Sequence, residues 1–204
     1  MAGTALFGGS FNPIHYGHLL LAHDVREQLS LDRVVFMPAG VPPHKPARDI
    51  APAADRHAMV ALAIADNPGF EVSDLELRRA GPSYTVDTLQ ALGVPASELF
   101  LIIGSETFLD LLSWREPRRL ATLCRLVVVP RSGSAFDPDG DAARKVVGEI
   151  GLEPEDILVT HATSLPLSAS ELRARASARR SLRYRVPPAV AEYIARRGLY
   201  GGHD

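Results

Sequence analysis

The sequence predicts an α/β protein built on an open, mostly parallel sheet with helices on both faces. Two observations carry this. Apolar and β-branched runs at residues 4–7 and 33–37 flank a helical stretch at residues 19–29, and strand, helix, strand in that order is a parallel crossover unit. Further along, residues 98–104 and 125–129 are near-continuous apolar runs, which is how strands covered on both faces read. A chain of 204 residues with 46% apolar content can bury one good core, so one domain over residues 1–204 is expected.

The elements follow in order. Residues 4–7 form a buried strand that stops at Gly8 and Gly9; Ser10, Phe11, Asn12, Pro13 and Ile14 make a tight loop, and helix 19–29 comes next. After the strand at 33–37, residues 39–46 hold three prolines, which remove backbone donors and keep the chain extended. That is a stiff loop at the carboxyl end of a strand, where open α/β sheets bind ligands, although a plain connector reads the same way. A helix is expected over 53–66, with Asn67, Pro68 and Gly69 as its stop. Residues 70–72 and 75–77 read as two short strands. The turn at Gly81 and Pro82 leads to a helix starting at Ser83 or Thr85, where a hydroxyl can serve simply as N-cap.

The strand at 98–104 ends at Gly104, and the following helix carries Phe108, Leu109, Leu111 and Leu112 towards residues 113–117. Trp114, the sole tryptophan, stands in that loop rather than in an apolar periodic run. After the strand at 125–129 come a turn at 137–140, an amphipathic helix at 142–150 and a last strand at 157–159. Residues 167–173 place Ser168 and Ser170 at a helix start, with Arg173 one turn inward. Ser168 and Glu171 have capping-box spacing, which is compatible with the hydroxyls also serving a ligand. The final helix, 189–197, is introduced by Pro187 and Pro188 and closed by Gly198, with Tyr193 and Ile194 docking it.

The chemistry concentrates in the first eighteen residues. Glycines let the chain turn sharply and approach a ligand, and a helix N-terminus aims unpaired N–H groups at whatever sits in front of it. Such a place binds phosphate. His15 and His18, three apart, project from one side of the first helical turn toward the same anion. A histidine pair of this kind can also be half a metal site, or an inert helix start. No third ligand stands nearby, and zinc usually needs three protein ligands, so no metal site is expected. Neither G-x-x-x-x-G-K-[ST] nor G-x-G-x-x-G opens this helix.

A formal charge of −2 and a pI near 6.4 argue against broad attraction to nucleic acid or an anionic membrane. No apolar run approaches the ~20 residues of a membrane span, and no leader is evident, so a soluble cytoplasmic protein is expected. Cys124, the single cysteine, reads as a small core residue. A homo-oligomer is compatible with the sequence.

The run from Gly8 and Gly9 through Ser10, Phe11, Asn12, Pro13, Ile14, His15, Tyr16, Gly17 and His18 to Leu19 resembles the signature of the HxGH nucleotidyltransferases. The segment from Ser83, Tyr84 and Thr85 to Leu89 and the stretch around Trp114 resemble the nicotinate-mononucleotide adenylyltransferase branch, and similarity runs to Tyr200. The resemblance implies a Rossmann-like sheet over about 1–160 and a small C-terminal helical extension over about 161–204 that carries a phosphate-binding motif. Four departures stand out: Ser10 for threonine, Asn12 and Glu106 for aspartates, and Ala169 with Ser170 for Ser-Thr. Glu106 matters most, because one extra methylene moves a carboxylate by more than the ~0.5 Å a preorganised site tolerates.

The implied reaction is adenylyl transfer from ATP to nicotinate mononucleotide, giving nicotinic acid adenine dinucleotide and pyrophosphate. Alternatives are a sister enzyme acting on nicotinamide mononucleotide or phosphopantetheine, and a nucleotide sensor without catalysis. The resemblance implies that His18 and His15 are catalytic. It implies that Gly8, Gly9, Ser10, Phe11, Lys45, Gly104, Glu106, Ser168, Ser170 and Arg173 hold ATP and its phosphates. Tyr84, Thr85, Trp114, Arg115 and His44 would then hold the mononucleotide. Mg²⁺ would arrive with ATP through phosphate oxygens and water.

Overall fold

The computed structural model describes residues 3–42, 50–130, 133, 135–163 and 165–201. Its sheet has six strands: β1 (Thr4–Gly9), β2 (Arg33–Pro38), β3 (Phe70–Val72), β4 (Leu99–Gly104), β5 (Arg125–Val129) and β6 (Ile157–Val159). They lie in the order β3-β2-β1-β4-β5-β6, and every pairing is parallel. The mostly parallel sheet expected from the sequence is thus parallel throughout, with the strand order of the Rossmann fold. The chain winds outward from β1 to β3, then returns to start β4 on the other side of β1. That switch opens a crevice at the carboxyl ends of β1 and β4.

The apolar runs exist because both faces of the sheet are covered. In β1, Ala5 and Phe7 enter one core and Leu6 the other; in β4, Phe100 and Ile102 go one way, Leu99, Leu101 and Ile103 the other. The first face is covered by α1 (Tyr16–Gln28), α2 (Ala53–Ile64), α8 (Ala169–Ser177) and α9 (Pro188–Arg197), through Val25, Met59, Leu172 and Ile194. Against the second lie α4 (Thr85–Leu92), α5 (Ser105–Leu109), α6 (Pro117–Ala121) and α7 (Asp141–Ile150), through Leu89, Phe108, Leu120 and Val146. Cys124 is buried there, and burial pushes its thiol up to about 12, which keeps it protonated and inert.

One element differs in kind. The apolar, polar, apolar stretch at 75–77 read as a strand, but the chain forms a helical turn, α3 (Leu75–Arg78). Ser73 Oγ accepts the N–H of Leu75 at 3.2 Å, and the Asp74 carbonyl accepts those of Leu77 and Arg78. The side-chain bond bends the backbone away from the sheet edge. Glu76 thereby turns inward and is buried.

The C-terminal helices are fastened to the sheet by polar contacts as well as packing. Asp55 on α2 is buried and accepts hydrogen bonds from Tyr193 Oη at 2.8 Å and Arg197 Nε at 3.1 Å. The capping box expected at α8 is not formed: Ser168 Oγ and Ser170 Oγ bond each other at 2.6 Å, and Glu171 faces Arg185 at 3.7 Å.

Candidate active site

A cavity of about 480 Å³ opens at the switch point. It is lined by Gly8, Gly9 and Ser10 of the glycine loop, by Gly104 at the end of β4 and Thr107 on α5, and by Tyr84, Thr85, Trp114 and Arg115. Of the residues named from the sequence, four of the ATP group (Gly8, Gly9, Ser10, Gly104) and four of the mononucleotide group (Tyr84, Thr85, Trp114, Arg115) therefore share one cavity. His15, His18, Phe11, Glu106, Ser168, Ser170 and Arg173 do not line the cavity, and His44 and Lys45 lie outside the described residues.

The glycine loop is held by its own aromatic ring. Phe11 adopts a φ of 43°, a left-handed conformation costly for a bulky residue, and its ring packs edge-on against Phe7 at 5.5 Å and His18 at 5.2 Å. A Cβ on Gly9 would stand 3.1 Å from the Phe11 ring, so a side chain there would press on that ring. Asn12, buried, fixes the far side of the loop. Its Oδ1 accepts from the N–H of Ala51 at 3.0 Å and from Tyr200 Oη at 2.9 Å, while its carbonyl accepts from Arg173 Nη1 at 3.0 Å. Burial raises the Tyr200 phenol, with Arg173 and Arg56 opposing, so it stays a neutral donor.

The two histidines start α1. His15 is its N-cap, and the rings stack with centroids 3.7 Å apart. The His15 N–H donates to His18 Nδ1 at 3.3 Å, which leaves the His18 ring proton on Nε2. Although both project from the first helical turn, His15 is the buried one, at 6% exposure, and His18 is only half-buried. An N-cap residue lies under the first turn, whereas N3 points along the helix surface. Desolvation lowers His15 from 6.5 to about 4, so it is a neutral imidazole near pH 7, and its Nδ1 is buried without a hydrogen-bond partner. Gly17 explains the tight stack: a Cβ there would come within 3.1 Å of that Nδ1.

The cavity is also lined by polar groups that the sequence did not mark as binding residues. Glu76 lines it, with Ser83, Ser113 and Thr107. The fully buried Thr88 hydroxyl donates to Glu76 Oε1 at 2.6 Å and accepts from Arg79 Nη2 at 2.9 Å. Arg79 lies 4.0 Å from the same carboxylate. This bridge neutralises Glu76 and holds the start of α4, where Tyr84 is the N-cap. Of the two possible helix starts, Thr85 is the observed one. Arg115 stacks over the Tyr84 ring at 4.7 Å and lies 4.0 Å from Asp87. No signal in the sequence marked Glu76, since its role depends on α3 being helical.

Among the described residues no group of three or more histidine, cysteine, aspartate or glutamate side chains could hold a metal ion, and no helix is long and apolar enough to cross a membrane.

The cytidylyltransferase-like family model matches residues 6–175. A protein of Roseiflexus sp. (strain RS-1), named as a probable nicotinate-nucleotide adenylyltransferase, is 45% identical over 200 residues, 98% of each chain. A relative of the same name from Thermomicrobium roseum is 41% identical over 202 residues, covering 98% of this chain and 92% of its own. The chain belongs to the nicotinate-nucleotide adenylyltransferase family. It is accordingly a nucleotidyltransferase. Among solved structures, the Plasmodium falciparum nicotinic acid mononucleotide adenylyltransferase superposes with a TM-score of 0.74 over 98% of both chains. At 18% identity that likeness speaks for the fold alone.

Proposed function

We propose that this chain transfers the adenylyl group of ATP to nicotinate mononucleotide, releasing pyrophosphate and forming the dinucleotide used in NAD synthesis. The observation that carries the reading is that the glycine loop and Tyr84, Thr85 and Trp114 line one cavity at the β1/β4 switch point. A phosphorylated ribonucleotide with a planar ring calls for both features, backbone donors for an anion and a flat surface for a ring.

The nucleophile is the mononucleotide's phosphate, already ionised near neutral pH because a phosphate monoester's second pKa is about 6. An oxygen of that phosphate attacks the α-phosphorus, and the bond to the bridging oxygen of pyrophosphate breaks. No proton has to be removed. Catalysis reduces to aligning two anions and neutralising charge as it moves. The backbone N–H groups of Gly8, Gly9, Ser10 and Phe11 face the phosphates, with His18 Nε2–H as the donor that follows the developing charge. His15, neutral, supports that ring from beneath. Arg173, Ser168 and Ser170 approach the triphosphate from α8, Gly104 and Glu106 border the nucleoside, and Lys45 and His44 complete the phosphate side. Trp114 is the shelf for the pyridine ring, and Arg115 with the Thr85 hydroxyl and the α4 N–H groups receives its carboxylate. Mg²⁺ would arrive with ATP, held through phosphate oxygens and water. One domain, soluble small-molecule substrates and a cytoplasmic location belong to the same reading.

Incubating the protein with ATP, Mg²⁺ and nicotinate mononucleotide tests it. The dinucleotide and pyrophosphate are expected in equal amounts by mass spectrometry and phosphate release. Absence of dinucleotide from a folded, ATP-binding preparation contradicts it.

A further inference from the structure

Arg56 has the lowest exposure of any charged residue described, 1%, and it faces no carboxylate within salt-bridge distance among the described residues. Its guanidinium is spent on backbone. Nη1 donates to the Ser10 carbonyl at 2.9 Å, Nε to Ala51 at 2.9 Å, and Nη2 to both Ala39 and Gly40, the latter at 3.2 Å. These four carbonyls come from three separate stretches: the glycine loop after β1, the exit of β2, and the turn before α2. Ser10 and Ala39 line the cavity, whereas Arg56 does not.

We infer that Arg56 is a positioning residue for adenylyl transfer, setting the spacing between the glycine loop and the exit of β2 where both border the cavity. The inference rests on the transfer reaction proposed above. A buried charge is a poor source of stability, because removing it from water costs several kcal/mol that its partners only offset. What a guanidinium supplies is geometry. Its five N–H groups point in fixed in-plane directions, so four bonds to three segments lock their relative positions. A lysine has one nitrogen on a flexible stem and cannot span those carbonyls together. Asn12 reinforces the same junction by accepting the Ala51 N–H. Tyr84, Thr85 and Trp114 are not among the residues Arg56 bonds, but Gly40, which it holds, packs against Glu76 beside Ser83, so alignment of the two substrates should suffer more than the binding of either.

The experiment compares the parent, Arg56→Lys and Arg56→Ala in pyrophosphate release, with KM for each substrate and Tm recorded together. A misplacement near 1 Å at a reacting phosphate can cost about 10²-fold. Arg56→Lys is therefore expected to lose roughly 10- to 100-fold in kcat, within that same figure, with a smaller change in KM for either substrate. In Arg56→Ala, millimolar methylguanidinium should restore part of kcat and methylammonium should not. If the folded Arg56→Lys enzyme keeps the parent's kcat and only Tm falls, or if the two additives act alike, the inference is overturned. A parent that shows no transfer would instead overturn the reaction, which keeps the two failures apart.

Discussion

Acid should destabilise this protein through His15 in a defined window. The imidazole titrates near 6.5 in the unfolded chain and at about 4 in the folded one, because it is buried with its Nδ1 unpartnered. Between those values the unfolded state binds the extra proton. Stability contributed by His15 is therefore fully present above 6.5 and is lost as pH falls towards 4. Full loss corresponds to about 3 kcal/mol, and the drop between pH 7 and pH 5 to about 2 kcal/mol. His15→Asn removes the titrating group yet keeps a good N-cap for α1. Urea unfolding of parent and variant at both pH values isolates the effect, since the other histidines cancel in the comparison. The parent is expected to lose about 2 kcal/mol more than the variant on going to pH 5. Equal losses would refute a buried neutral His15.

Three further perturbations probe the site. His18→Ala should lower kcat by about 10²–10³, as for loss of one donor at a developing charge, with Tm nearly unchanged in a thermal melt. Trp114→Ala should cost about 1–3 kcal/mol of ring stacking, seen as roughly a 5- to 150-fold rise in KM for the mononucleotide, while the KM for ATP holds. Thr88→Val keeps the shape but strands Glu76 and Arg79, for a loss of about 2–3 kcal/mol, or about 5–10 °C in Tm. An unchanged melting curve would show that the bridge carries no energy.

The parallel sheet was legible because strands covered on both faces must be apolar along their whole length, and residues 98–104 and 125–129 obey that rule. The stretch at 75–77 misled for an equally physical reason: three residues cannot distinguish a period of two from one turn of helix. A serine hydroxyl at 73 decided between them. The glycine loop, His15 and the aromatic pocket stood out as motif, whereas Arg56 and Glu76 did not. An arginine in an amphipathic helix reads as a solvent-facing residue, and its burial depends on carbonyls from three segments distant in sequence. His15 and His18 were placed correctly at the helix start, but their relative depth follows from the N-cap geometry and not from their spacing.

The choice between the acid and the amide of the mononucleotide tests the proposed reaction most directly. Donors at the start of α4 and Arg115 suit a carboxylate, while the amide would set its NH₂ against unmatched N–H groups. The ratio of kcat/KM for nicotinate over nicotinamide mononucleotide, measured with one preparation at fixed ATP and Mg²⁺, is expected to reach about 10² or more. Equal values for the two substrates would contradict the assignment of this pocket to a nicotinate ring.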